Sequence, residues 1–118
     1  MIVFLLSHGV DLKLAQLDAF KKELKKFPLE IREDIFVLID KYLNGERLNT
    51  SQFKTFKIDK ETKIQEFKVK DHTGNWRAIS CIVQKDTLVF VYAFHKKSQA
   101  LLEKDKDTIR KRIKRIEL

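Results

Sequence analysis

Cysteine occurs once in these 118 residues, proline once and glycine three times. Each scarcity excludes something. A lone Cys81 cannot form an internal disulfide, which fits a reducing cytoplasm, and its place within the apolar stretch 79–83 marks it as a packed small hydrophobe rather than a nucleophile. With so little glycine and proline there is no repeat, no low-complexity segment and no linker. No hydrophobic run approaches membrane-spanning length, so no membrane association is expected. The apolar run 1–6 is too short for a signal peptide's hydrophobic region, and no basic residues precede it. No Cys/His spacing suits zinc, no glycine-rich phosphate loop occurs, and the carboxylates, Asp71 and Asp86 among them, show no pairing for metal binding or acid–base hydrolysis. No cofactor and no metal are therefore expected.

What is present is charge of one sign. Lysine and arginine total 25 against 17 acidic residues, a formal net charge of +8. Such an excess points to an anionic partner: nucleic acid, an acidic protein or a membrane surface. Apolar residues still make up 43% of the chain, enough for a core, and the length fits one domain spanning 1–118.

The hydrophobic pattern divides the chain. A short strand is expected over 2–6. From Asp11 the apolar residues Leu14, Leu17, Phe20, Leu24 and Phe27 recur at helical spacing. Pro28 breaks the pattern, and Ile31, Ile35, Leu38, Ile39 and Tyr42 form a second stripe that Asn44-Gly45 stops. The short break favours a helical hairpin. The polar stretch 52–63 reads as a loop. Strands follow over 63–70, 76–83 and 87–94, joined by the turns 71–75 and 84–86. A two-residue turn at Lys85-Asp86 would set Val83 opposite Leu88, Cys81 opposite Phe90 and Ile79 opposite Tyr92. Those six would make a large apolar face for the helices, with Ala78, Ser80, Val89, Val91 and Ala93 on the other side. The tail from Leu102 to Ile116 is a basic helix with a narrow apolar stripe. The class is α+β: an N-terminal strand and helical hairpin packed on an antiparallel β-meander, then a basic C-terminal helix.

Connectivity alone brings Lys68, Lys70, Trp76, Arg77, His95, Lys96 and Lys97 to one end of the meander, with Phe94 beside Arg77. A cationic cluster with aromatic neighbours is a place to hold a phosphodiester chain. Arg77 can fork two hydrogen bonds to a phosphate, while Lys68, Lys70, Lys96 and Lys97 act as point charges. Trp76, Phe94 and His95 can stack on unpaired bases. RNA cleavage needs the 2′-hydroxyl deprotonated, the phosphorane's charge stabilised and the leaving 5′-oxygen protonated. Arg77 and a lysine would supply the charge and His95 the proton transfer. His72 reads as a turn residue and His8 as a loop residue. The basic tail helix reads as a nucleic-acid arm, a membrane-surface helix or a docking surface for an acidic partner, and equally as a solvated helix packed by one stripe.

Three segments at this end, 64–71, Gly74-Asn75-Trp76-Arg77-Ala78-Ile79 and Ala93-Phe94-His95-Lys96-Lys97-Ser98-Gln99, resemble in sequence and order the RelE/HigB superfamily of bacterial toxins, in particular its phage-derived HigB-like branch. The resemblance implies a RelE-like fold and the toxin of a type II toxin–antitoxin pair. Such a toxin cleaves mRNA on translating ribosomes in the cytoplasm and is silenced by a cognate antitoxin from an adjacent gene. Carried over by position, Arg77 would be the phosphate-binding arginine and Lys96 and Lys97 the basic pair after the last strand. Lys68 stands where arginine is common, Ser80 where an aromatic residue is frequent, and the stretch 100–102 lacks the usual Thr-Pro pair. Beside this enzyme reading stands a second: a non-catalytic basic RNA- or partner-binding domain of the same fold.

Overall fold

The structure, a computed structural model, describes residues 2–5, 12–98 and 100–116; His8 and Gln99 lie outside the described residues. Its elements run β1 (Ile2–Leu5), β2 (Lys13–Gln16), α1 (Asp18–Leu24), α2 (Leu29–Leu43), β3 (Phe53–Lys57), β4 (Lys63–Asp71), β5 (Gly74–Val83), β6 (Thr87–Lys96) and α3 (Glu103–Ile116). The six strands form one sheet in the order β1-β2-β6-β5-β4-β3. Only the β2–β6 pair is parallel. The α+β class, the helical pair, the meander and the basic C-terminal helix are as the sequence indicated.

Two elements differ from the sequence reading. Residues 13–16, assigned to the first helix, are strand β2, and α1 begins only at Asp18. The segment pairs along β6 from Lys13↔Thr87 to Gln16↔Phe90, and Ala15 is buried against the sheet. Pairing with a distant strand overrides the helical spacing of Leu14 and Leu17. The polar stretch after Gln52 holds β3, which pairs antiparallel with β4. Its lysines Lys54 and Lys57 are exposed, as suits an edge strand, while Phe53 packs in tilted contacts against Phe67 and Tyr42 with ring centroids 4.9 Å apart in both pairs.

The β5–β6 register shifts once. The turn takes three residues, with Gln84 and Lys85 at φ of 54° and 66°, so Val83 faces Thr87, Cys81 faces Val89 and Ser80 faces Phe90. An irregularity at Ile79/Ser80 passes over Val91 and restores Ile79↔Tyr92. The expected Ile79–Tyr92 pairing is present, and the expected pairings nearer the turn are displaced by one. The faces change accordingly. Leu88 and Phe90 join Phe67, Ala78 and Ala93 beneath α1 and α2, packed on Phe20, Leu24, Ile35 and Leu38. Ile79, Cys81, Val89 and Val91 face the other way, with Ile64 and Phe94, onto Ile109 and Ile113 of α3. Helices cover both faces, which explains why β5 and β6 carry nearly unbroken apolar runs.

Beyond Phe90, β2 no longer accompanies β6, and side chains take over its open edge. Glu23 Oε1 accepts the Ala93 backbone N–H at 3.1 Å, and Arg112 Nη1 donates to the Val91 carbonyl at 2.8 Å. The two side chains also pair with each other, at 2.8 and 3.0 Å. An α1 carboxylate and an α3 guanidinium thus satisfy backbone groups where the strand partner ends.

Candidate nucleic-acid interface

The site is built at the β4–β5 turn, which is two residues tight: Asp71 pairs with Gly74 across His72 and Thr73. Asp71 Oδ1 accepts the Thr73 backbone N–H at 2.9 Å and its hydroxyl at 2.6 Å. The Thr73 hydroxyl bond is the main reason that the Asp71 carboxyl titrates below the usual carboxylate range. Gly74 sits at φ +136°, where a Cβ would stand 2.7 Å from the Lys96 carbonyl oxygen and 3.1 Å from His95 Nε2. Only glycine lets β6 close over this turn.

The return of β6 sets Asn75 opposite Lys96, Trp76 opposite His95 and Arg77 opposite Phe94. The expected residues therefore do meet at one end of the sheet. The pleat then separates them. Trp76 and His95 lie on the α1/α2 face, stacked at 3.6 Å and 16°, and Phe27 meets the indole in a T-shaped contact at 4.9 Å. Arg77, Phe94 and Lys96 lie on the α3 face. With His95 stacked on it and Phe27 against it, the Trp76 ring is occupied, while His95 is an exposed residue.

Arg77 is buried, with 1% of its surface exposed. Its Nη1 pairs with Glu66 Oε2 at 3.1 Å, its Nη2 donates to the Ser98 carbonyl at 2.9 Å, and it lies 5.7 Å over the Phe94 ring. Phe94 itself is buried and stacked on Tyr92. Asn75, also buried, donates from Nδ2 to the carbonyls of Lys96 and Lys97, both at 3.4 Å. Two β5 side chains thus hold the segment that leaves β6.

Of the basic pair, Lys96 is tied to the buried Asp105 of α3 and lies 5.4 Å over the Phe94 ring, while Lys97 is exposed. Burial pushes the Asp105 carboxyl up, but hydrogen bonds from Lys96 and Tyr92 and the Lys96 charge outweigh it, so its pKa lies below the usual range. Burial pushes the Tyr92 hydroxyl up, reinforced by Asp105. Lys68, across the ladder from Arg77, is buried; desolvation lowers its pKa against the opposing pull of Glu66. Lys70 is exposed and borders a groove with Lys41, Gln52 and Lys68. On the α3 face a cleft of about 630 Å³ has Glu66 and Arg77 in its wall, with Phe53, Phe56, Lys54 and Lys106 around them.

Glu66, Asn75, Thr73 and Asp105 are the residues that sequence reasoning missed. Glu66 and Asn75 had a readable signal: each is a polar residue inside a strand, Glu66 set near Arg77 by the tight β4–β5 turn and Asn75 set opposite Lys96 by the return of β6. Asp105 had none, because its partner comes from a separate element. Among the described residues no group of His, Cys, Asp and Glu side chains is placed to hold a metal ion. No helix among them is long and apolar enough to cross a membrane.

Residues 22–114 match the family described as "Phage derived protein Gp49-like (DUF891)". Among solved structures, the chain is similar to a free-state mutant of the E. coli toxin RelE, with a TM-score of 0.52 and 15% identity over 87% of this chain and 95% of that one. At that identity the likeness concerns the fold, which is RelE-like. None of the curated proteins matches.

Proposed function

The chain belongs to the phage-derived Gp49-like family, and from that premise we propose that it is the RelE-type toxin of a type II toxin–antitoxin pair, of the HigB-like branch. In this reading it is a metal-independent endoribonuclease that cuts mRNA on translating ribosomes in the cytoplasm. The observation that carries the reading is the joining of β5 and β6 that gathers His95, Lys96, Lys97 and Arg77 at one sheet end of a RelE-like fold.

The RNA strand crosses the open end of β5 and β6, where both faces of the sheet are reached. The exposed Lys97 and Lys70 hold phosphates, and the exposed His95 ring meets a ribose and moves its proton. Arg77 and Lys96 act from the α3 face. Arg77, paired with Glu66, holds the Ser98 carbonyl, and Lys96 fixes the start of the segment to Asp105. Lys68 contributes field from within the sheet. Trp76 and Phe94 keep His95 and the two inner cations in place.

Primer extension on translated mRNA tests this reading, with growth arrest on expression as its companion. Cuts that require translation and disappear in His95→Gln are expected; equal cutting of naked RNA would remove ribosome dependence. The cognate antitoxin should cover the Lys97 end or add bulk that bars ribosome entry, so a complex that still cuts at the free-toxin rate would overturn this control.

A second reading, a non-catalytic RNA- or partner-binding domain, is favoured by one observation. The inner cations Arg77 and Lys96 are already engaged by Glu66 and Asp105. Ribosome binding without cuts would select it.

A further inference from the structure

His95 is held from three sides. Its ring lies flat on Trp76, Gly74 leaves no room for a Cβ, which would stand 3.1 Å from Nε2, and Nε2 stands 3.0 Å from Thr73 Oγ1. The third contact has a direction. The Thr73 hydroxyl owns one hydrogen and donates it to Asp71 Oδ1 at 2.6 Å, so toward His95 it offers only lone pairs. A nitrogen 3.0 Å from an acceptor carries the proton, which makes Nε2 the N–H of the neutral ring. The basic lone pair is then on Nδ1.

We propose that Asp71 and Thr73 are positioning residues that hold His95 in the Nε2–H form, so that Nδ1 is the atom that takes the ribose proton. This rests on the endoribonuclease reading. In the step so assigned, Nδ1 takes the 2′-hydroxyl proton and the 2′-oxygen bonds to phosphorus. The bond from phosphorus to the 5′-oxygen breaks, and that oxygen takes a proton from water, which leaves as hydroxide. The ring ends protonated on both nitrogens, and Thr73 Oγ1 accepts the charge-assisted bond at Nε2 while Asp71 Oδ1 keeps the hydroxyl's own hydrogen.

The chain of carboxylate, hydroxyl and imidazole joins the β4–β5 turn to the end of β6, residues that only the closed hairpin brings together. Thr73→Val removes the hydroxyl while keeping the shape, and Thr73→Ser restores it. Two measurements are made on the folded protein: the ¹⁵N and ¹H resonances of the His95 ring, and cleavage of ribosome-bound mRNA alongside ribosome affinity.

In the wild type and Thr73→Ser, a slowly exchanging Nε2 proton and a type-specific Nδ1 nitrogen shift are expected. In Thr73→Val that proton exchanges freely, and cleavage falls roughly tenfold, about the worth of one hydrogen bond, with affinity unchanged. A wild-type ring protonated on Nδ1, or a ring spectrum unaltered by Thr73→Val, overturns the lock. Unaltered cleavage in Thr73→Val overturns the positioning role. A wild type with the expected ring spectrum that never cuts RNA refutes the enzyme reading instead, and the catalytic assignment of Nδ1 with it.

Discussion

Arg77 and Glu66 form an ion pair inside the protein: the guanidinium Nη1 lies 3.1 Å from the carboxylate Oε2, with 2% and 5% of the two side chains exposed. They sit on neighbouring strands on the α3 face, and the other end of the guanidinium holds the Ser98 carbonyl. The arginine that the sequence marks for phosphate is therefore also a structural member of the sheet.

Removing one partner of such a pair leaves a largely buried charge without its counterion. Arg77→Ala is expected to lower stability by roughly 3–5 kcal/mol. Replacing both, as Arg77→Met with Glu66→Leu, should cost much less than the single change. Urea denaturation of the two single variants and the double variant measures the coupling. Independent, additive effects would show that the pair contributes nothing as a pair.

The two lysines of the basic pair should separate. Lys97 is exposed, and Lys97→Ala should change stability by less than about 0.5 kcal/mol while reducing cleavage and toxicity. Lys96→Ala leaves the buried Asp105 carboxylate without its cation and should lower the melting temperature markedly. Thermal melts beside growth assays of both variants check this; equal melting temperatures would contradict it.

Asp105 also sets a pH dependence. Its folded pKa lies below its unfolded one, so it contributes stability above the ordinary carboxylate pKa of about 3.9 and loses it as pH falls through the folded value. In Lys96→Ala, burial is left with less opposition, so the folded pKa should rise. The penalty at neutral pH should then shrink on acidification. Denaturation midpoints of both proteins from neutral pH to pH 3 read this out, and parallel curves would argue against it.

His95→Gln should lower cleavage by roughly 10²–10⁴-fold with ribosome affinity nearly unchanged, the signature of a lost proton transfer. The ring is exposed, so the fold should survive. Single-turnover cleavage with a parallel ribosome-binding measurement separates the two effects. Full activity in this variant would take His95 out of the mechanism.

The open edge of β6 offers a test of the fold itself. Glu23→Ala removes the acceptor of the Ala93 N–H and the partner of Arg112. Hydrogen exchange at Ala93 should quicken, with stability lowered by roughly 1–3 kcal/mol. Unchanged exchange would mean that another group satisfies that amide.

Local pattern alone determined much of this protein. The stripe of Ile31, Ile35, Leu38 and Ile39 makes α2 wherever it packs, since one face of a helix repeats every three or four residues. Asp71 and Gly74 close the β4–β5 turn, and the return after Gln84 brings His95 to Lys97 beside Asn75 to Arg77 through connectivity.

Tertiary structure decided the rest, because a residue pattern does not say which open edge, covering helix or buried counterion it will meet. Residues 13–16 are a strand only because β6 has an edge to offer, and β3 exists because β4 does. The shift at Val91 chose which apolar residues meet α1 and α2 and which meet α3. Burial then assigned the cations: Glu66 drew Arg77 inward, Asp105 claimed Lys96, and Lys97, one residue on, was left to solvent. A charge is written in the sequence, but whether it faces water or a counterion depends on which surfaces close over it.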